Sequence, residues 1–346
     1  MLYATTRSNV DIFTAQRVLK EDRAPDGALF VPMTLPPFMP YEIRQFTEHA
    51  PSDAVALVLN CFFNTDLSGR DVEFAVGREL FATAEMPFRM VVAELWRNPD
   101  GKVDRLVRQL AMTAAGEKEP FEPGEWAKIA VRIGLLAALC GEMGRKKLVS
   151  AASGMDVAVS MGDEAMLLAA WYARRMGLPI GRIIVSSNGS SGIWELVNRG
   201  QLRCVPHVSR TSTPQYDSPC LDALERLIYA SVGRVDSNRF VTACRSGATY
   251  QMNSEQRRHL SEALYVSVIG SRRVERTIPN VYGSFSYILS PYSALTYCGV
   301  MDYRAETGAR SPVLLPAGIS PANDAQAVTG AMGISEQELR NRLKLN

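Results

Sequence analysis

The stretch from Asp156 to Asn188 constrains the fold of this chain more than any other. Asp156-Val157-Ala158-Val159-Ser160 is a short apolar run, followed by Met161-Gly162-Asp163 and a helical pattern from about Glu164 to Met176. Gly177-Leu178-Pro179 stops the helix, and Ile183-Ile184-Val185-Ser186 forms a second apolar run. Two near-continuous apolar strands around one helix make a βαβ unit, which demands parallel strands covered by helices on both faces. The expected fold class is therefore α/β. The chain's 346 residues exceed a usual domain of about 100 to 150 residues. An N-terminal α+β domain over 1–112 and a large α/β domain over 113–346, with the βαβ unit at 156–187, are expected.

Around that unit the pattern is less specific. Helices are expected near Asp11 to Lys20 and Pro40 to Glu48, with Pro25-Asp26-Gly27 as a turn and Leu29-Phe30-Val31 as a strand ended by Pro32. Gly116 to Pro123, charged and without apolar periodicity, reads as a linker. After it, Trp126, Ile129, Ala130, Ile133, Leu136, Ala137 and Cys140 recur at helical spacing on one face. Thr277 to Met301 is uncharged and long enough to span a bilayer, but its prolines, glycines and hydroxyls predict a buried strand, turn and helix.

Charge and cysteine usage exclude several classes. Lys plus Arg number 38 against 36 Asp plus Glu, a net charge of +2, which lacks the basic footprint of nucleic-acid or membrane-surface binding. Met1 to Arg7 has neither a basic n-region nor an apolar h-region, so a cytoplasmic location is expected. Cys61, Cys140, Cys204, Cys220, Cys244 and Cys298 are scattered without a C-x-x-C pair, and His49, His207 and His259 are the only histidines, so buried thiols are expected and no metal site. No G-x-S-x-G elbow occurs, and Arg272, Arg273 and Arg276 read as a solvated face.

In a parallel sheet, ligands sit at the carboxyl ends of strands, where helix N-termini offer free N–H groups. Two turns qualify. Ser160-Met161-Gly162-Asp163-Glu164 carries two acids that satisfy the helix themselves and repel a phosphate. Asn188, Gly189, Ser190, Ser191 and Gly192 carry no acid, so they are the candidate nest for a small anion, although a serine-capped turn has the same composition.

Several runs, in order along the chain, resemble one family. They are Leu2-Tyr3-Ala4-Thr5-Thr6-Arg7 with Ala24 to Pro32; Ala173-Arg174-Arg175-Met176-Gly177-Leu178-Pro179-Ile180; Thr211-Ser212-Thr213-Pro214-Gln215-Tyr216-Asp217 with Leu224-Glu225-Arg226-Leu227; and Ser290-Pro291-Tyr292-Ser293-Ala294. The chain resembles threonine synthase, of the fold-type II pyridoxal-phosphate enzymes. The resemblance implies a parallel sheet with a second, small cofactor-contacting subdomain, yet the short linker after Gln109 leaves no room for that subdomain. The family's Schiff-base lysine ends a motif matched by Glu94-Leu95-Trp96-Arg97-Asn98-Pro99-Asp100-Gly101-Lys102-Val103-Asp104-Arg105, where Asp104 falls in the lysine register and Lys102 reaches it after a two-residue deletion. An aldimine needs an amine, which Asp104 lacks. Ala151-Ala152-Ser153-Gly154-Met155-Asp156 comes too late in the order to replace the missing segment. The family's phosphate loop corresponds to Gly162-Asp163-Glu164-Ala165, and the segment facing the pyridine nitrogen to Gly318-Ile319-Ser320-Pro321-Ala322-Asn323-Asp324.

The leading expectation is a threonine synthase-like protein without pyridoxal phosphate, a pseudoenzyme with a binding, regulatory or scaffold role. Surface uncovered by the missing subdomain is then expected to meet a second copy or a partner protein. Two other readings stay open. One is a small-anion-binding enzyme rebuilt in the cleft. The other is an active lyase turning O-phosphohomoserine into threonine, with pyridoxal phosphate on Lys102.

Overall fold

The computed structural model describes residues 1–97, 100–150, 153–204 and 210–344. The first elements are β1 (Leu2–Thr5), β2 (Phe13–Thr14), α1 (Ala15–Lys20) and β3 (Phe30–Pro32). Strand β1 lies between β2 and β3 in a small antiparallel sheet. The first helix is therefore shorter than the expected 11–20: Phe13 is held extended by pairing with Tyr3. Next come α2 (Pro40–Glu48), α3 (Pro51–Phe63) and α4 (Gly69–Val76). Proline opens the first two, and the carboxylates of Glu42, Asp53 and Asp71 accept from the N–H groups of Met39, Ala50 and Ser68.

The hairpin β4 (Ala82–Met86) and β5 (Met90–Glu94) leads into α5 (Val103–Ala115) and α6 (Glu125–Arg145). The βαβ unit follows as β6 (Met155–Ser160), α7 (Glu164–Met176) and β7 (Ile180–Ser187), with α8 (Ile193–Arg199) and β8 (Gln201–Arg203) behind it. Then come α9 (Leu221–Val232), α10 (Arg234–Ser246), β9 (Thr249–Gln251), α11 (Ser254–Ala263) and β10 (Leu264–Val268). The chain continues through α12 (Ser271–Phe285), α13 (Pro291–Thr307), β11 (Val313–Ala317), α14 (Ala325–Met332) and α15 (Glu336–Leu343).

The main sheet has the order β10-β7-β6-β11-β5-β4, parallel throughout except for β4, which runs antiparallel to β5. Its side chains alternate between two apolar layers. Val157, Val159, Ile183 and Val185 enter the layer that holds α3, α6 and α7, while Ala158 and Ile184 enter the layer that holds α12 and α13. Burial on both faces is what made β6 and β7 near-continuous apolar runs.

Two expectations meet a different arrangement. Residues 277–301 contain no strand: they run from α12 through a short connection at 286–290 into α13, and Pro279 lies inside the first helix. Val274, Ile278 and Val281 are spaced to bury one face of α12, and that spacing decides for helix despite the proline. The boundary set at 112/113 does not divide the sheet, because β5 pairs with β11 along its whole length. Among the described residues there is no second parallel sheet, and residues 116–124 join α5 to α6 directly. No helix among them is long and apolar enough to cross a membrane.

Candidate functional site

Parallel strands bring five loops to one edge: those after β5, β6, β7, β10 and β11. The loops after β5 and β11 are stitched together. Val103 N–H donates to the Gly318 carbonyl at 2.8 Å, Ser320 N–H donates to the Gly101 carbonyl at 2.9 Å, and Lys102 forms a backbone bridge with Ile319. Lys102 is the residue immediately before α5, and its ammonium lies within electrostatic reach of Asp324. Burial raises the pKa of Asp324, and Lys102 opposes that shift. Asp104 stands two residues further on, in the first turn of α5, mostly exposed and facing α6. Lys102, and not Asp104, therefore stands beside the 318–324 loop.

The loop after β6 is occupied by its own side chains. The Asp163 carboxylate accepts from Met166 N–H at 3.3 Å and so caps α7. Arg132, 5% exposed on α6, reaches Asp163 and Asp104 at 3.4 Å each. Burial raises the pKa of Asp163, Arg132 lowers it, and Asp104 raises it again. Glu164 is also raised by burial, partly offset by the Cys220 thiol. Above them the Tyr216 ring lies edge-on to Tyr292 at 4.5 Å, and its hydroxyl is bonded to Ser160. A Cβ at Gly162 would overlap the Tyr216 ring, which explains the glycine there. What remains between Ser160, Asp163, Tyr216, Tyr292 and Thr296 is about 10 Å³, room for roughly one water.

An open cleft of about 380 Å³ adjoins this loop, lined by Asp22, Glu125, Asp163, Glu164 and Asp222 against Arg23 and Arg132. Its electrostatics favour cations. They also set a pH dependence. A carboxyl whose pKa is raised on folding holds its proton longer in the native state, so its contribution to stability is greatest at low pH. That contribution is lost as pH rises from ordinary carboxylate values through the folded pKa. The double variant Asp163→Asn, Glu164→Gln should gain stability relative to the native sequence as pH rises from about 4 to 7. Urea midpoints measured across that range check this, and a difference that shrinks with pH would contradict it.

The nest expected after β7 is closed from within. Gly189 N–H donates to Ser187 Oγ at 3.0 Å and Ser190 N–H to Asn188 Oδ1 at 3.2 Å. Asn188 Nδ2 donates to Asp217 at 2.7 Å and lies within 3.2 Å of Thr211, Thr213 and the Tyr216 carbonyl. Ser191 Oγ meets Ser187 Oγ at 3.3 Å, while a Cβ at Gly192 would overlap Leu202. Its neutral donors thus hold the Thr211–Asp217 segment, and the Asp217 carboxylate occupies the place an anion would take.

His207, Asn98, Pro99 and Ala151-Ala152 lie outside the described residues. His259 stands edge-on to Trp171 at 6.2 Å. The six cysteines are unpaired, and among the described residues no group of three His, Cys, Asp or Glu side chains could hold a metal. Two residues central to this edge were missed as such in the sequence. Tyr216 gave no signal beyond its run, whereas Arg132 was readable as the one charge inside an apolar helical stretch from Ile129 to Cys140.

No family model matches the chain. Threonine synthase-like 1 of mouse is 25% identical over 216 residues, 61% of this chain but 28% of that protein. Threonine synthase of Corynebacterium glutamicum is 26% identical over 192 residues, 53% of this chain and 39% of that protein. The chain thus spans well under half the length of these relatives. Among solved structures, the PLP-bound threonine synthase of Brucella melitensis superposes with a TM-score of 0.83 at 17% identity, covering 96% of this chain and 92% of that one. Yeast threonine synthase gives 0.85 at 16% identity, with 100% and 94% covered. The chain has the threonine synthase fold and is a relative of the threonine synthase family.

Proposed function

We propose that this chain is a catalytically silent relative of the threonine synthases, a cytoplasmic protein whose scaffold has passed to a binding, regulatory or structural role. One observation carries the reading: the Asp163 carboxylate, tied to Arg132, sits on the helix N-terminus that would cradle a cofactor phosphate. The residues here do not suit pyridoxal phosphate. A phosphate would meet Asp163 and Glu164 at close range, and the Tyr216 ring fills the adjoining space. On this reading the face beside α5, where the family's small subdomain is missing, meets a second copy or a partner protein.

The position of Lys102 beside the 318–324 loop favours a second reading, a lyase that forms threonine from O-phosphohomoserine with pyridoxal phosphate on that lysine. One experiment separates the two. The purified protein is incubated with pyridoxal phosphate, reduced with borohydride and digested for peptide mass spectrometry. No adduct and no aldimine absorbance are expected, and a stoichiometric adduct on Lys102 would establish the second reading instead.

A further inference from the structure

Away from the carboxyl edge, a cavity of about 650 Å³ opens beside the C-terminal half of α7. Tyr172 and Arg175 of α7, Tyr229 and Ser231 at the end of α9, and Arg234 at the start of α10 form its polar wall, and Met33 lies on its apolar side. We propose that this cavity binds a small oxyanion, a carboxylate or phosphate, carried on a short apolar body.

Buried donors without partners gather at this cavity. Tyr172 is 3% exposed, packs edge-on against Trp126 at 5.0 Å, and its hydroxyl has no hydrogen-bond partner among the described residues. Buried hydroxyls are ordinarily paired, and one left unpaired costs stability unless something else satisfies it. Arg234 Nε is likewise buried and unpartnered at the same cavity. Directly behind lies Arg226, 1% exposed, with Nη2 unpartnered and its charge felt at the Tyr172 hydroxyl together with that of Arg175. Arg175 donates through Nη1 to the Ala230 carbonyl, so its fork is held in place.

No carboxylate lines this cavity. Glu164, whose charge Arg226 also feels, lies at the opposite end of α7, about 12 Å along the axis from Tyr172. Two guanidiniums and a phenol converging without a counter-charge match an oxyanion, because such groups give charge-assisted bonds to carboxylate or phosphate oxygens. Pro32, Met33 and Leu35 supply the apolar contact that a bare ion would not use. The volume falls within the usual range for small-ligand sites.

Calorimetric titration of the full chain with butyl phosphate, butyrate and inorganic phosphate tests this. Binding of butyl phosphate or butyrate is expected, and the tighter of the two identifies the head group. Arg234→Gln should weaken that binding about tenfold, and Tyr172→Phe should do likewise. The second variant carries an internal control: since the hydroxyl is orphaned in the free protein, its removal should leave the thermal midpoint unchanged or raise it. No heat from any probe, unchanged affinity in both variants, or a lowered midpoint in Tyr172→Phe would each overturn the proposal.

Discussion

Arg132→Met should cost about 3 kcal/mol of stability at neutral pH, the scale of breaking one partner out of a buried ion pair. The guanidinium is almost fully buried on α6 and is the counter-charge for the partly buried Asp163 carboxylate. Methionine keeps much of the length and apolar stem, so the loss isolates the charge rather than the packing. Asp163, left alone, takes up a proton more readily, so the loss should shrink on acidification. Adding Asp163→Asn to Arg132→Met should recover most of it. Denaturant unfolding of both variants at two pH values checks the claim, and a pH-independent loss with no recovery would mean that Arg132 acts through packing alone.

Gly141→Ala should destabilise the fold by about 2 kcal/mol, although alanine is the better helix former by about 1 kcal/mol. Helix α6 crosses α2 so closely that a Cβ at Gly141 would overlap the Phe46 carbonyl oxygen. Backbone cannot swing aside as a side chain can. That same oxygen accepts from Arg145 Nη1 at 3.0 Å, as does the His49 carbonyl, so any shift also loosens the end of α2. Gly144→Ala meets only the Thr47 side chain and should cost less. If Gly141→Ala instead raises the urea midpoint, the close approach of α2 and α6 is wrong.

The βαβ unit was legible because both strands are buried on two faces and are written as unbroken apolar runs. Strand β11 was not, because Val313-Leu314-Leu315-Pro316-Ala317 contains a proline that argues against a central strand. The structure resolves this locally: β6 pairs with β11 only at Val313 and Leu314, so at Pro316 the side toward β6 needs no donor. The self-capping expected of Asp163 is present, since cap chemistry is local. The Tyr216 ring over Gly162 was hidden, because contact between distant segments has no signature in either run. For the same reason Asn188 looked like a ligand donor when its partner was Asp217.

The connection between α5 and α6 has a consequence for how much sequence this scaffold can absorb. Gly116, at φ +67°, ends α5 in a left-handed cap, and Glu117 N–H returns to the Met112 carbonyl. Ion pairs from Lys20 to Glu117 and from Arg108 and Lys128 to Glu122 fasten both shoulders of the loop. Between those anchors Lys118 and Glu119 are exposed. Extra chain entering there would leave the six-stranded sheet and both anchors undisturbed, at a loop-closure cost that grows only slowly with length. The loop is thus a natural port for grafting a reporter or a foreign domain.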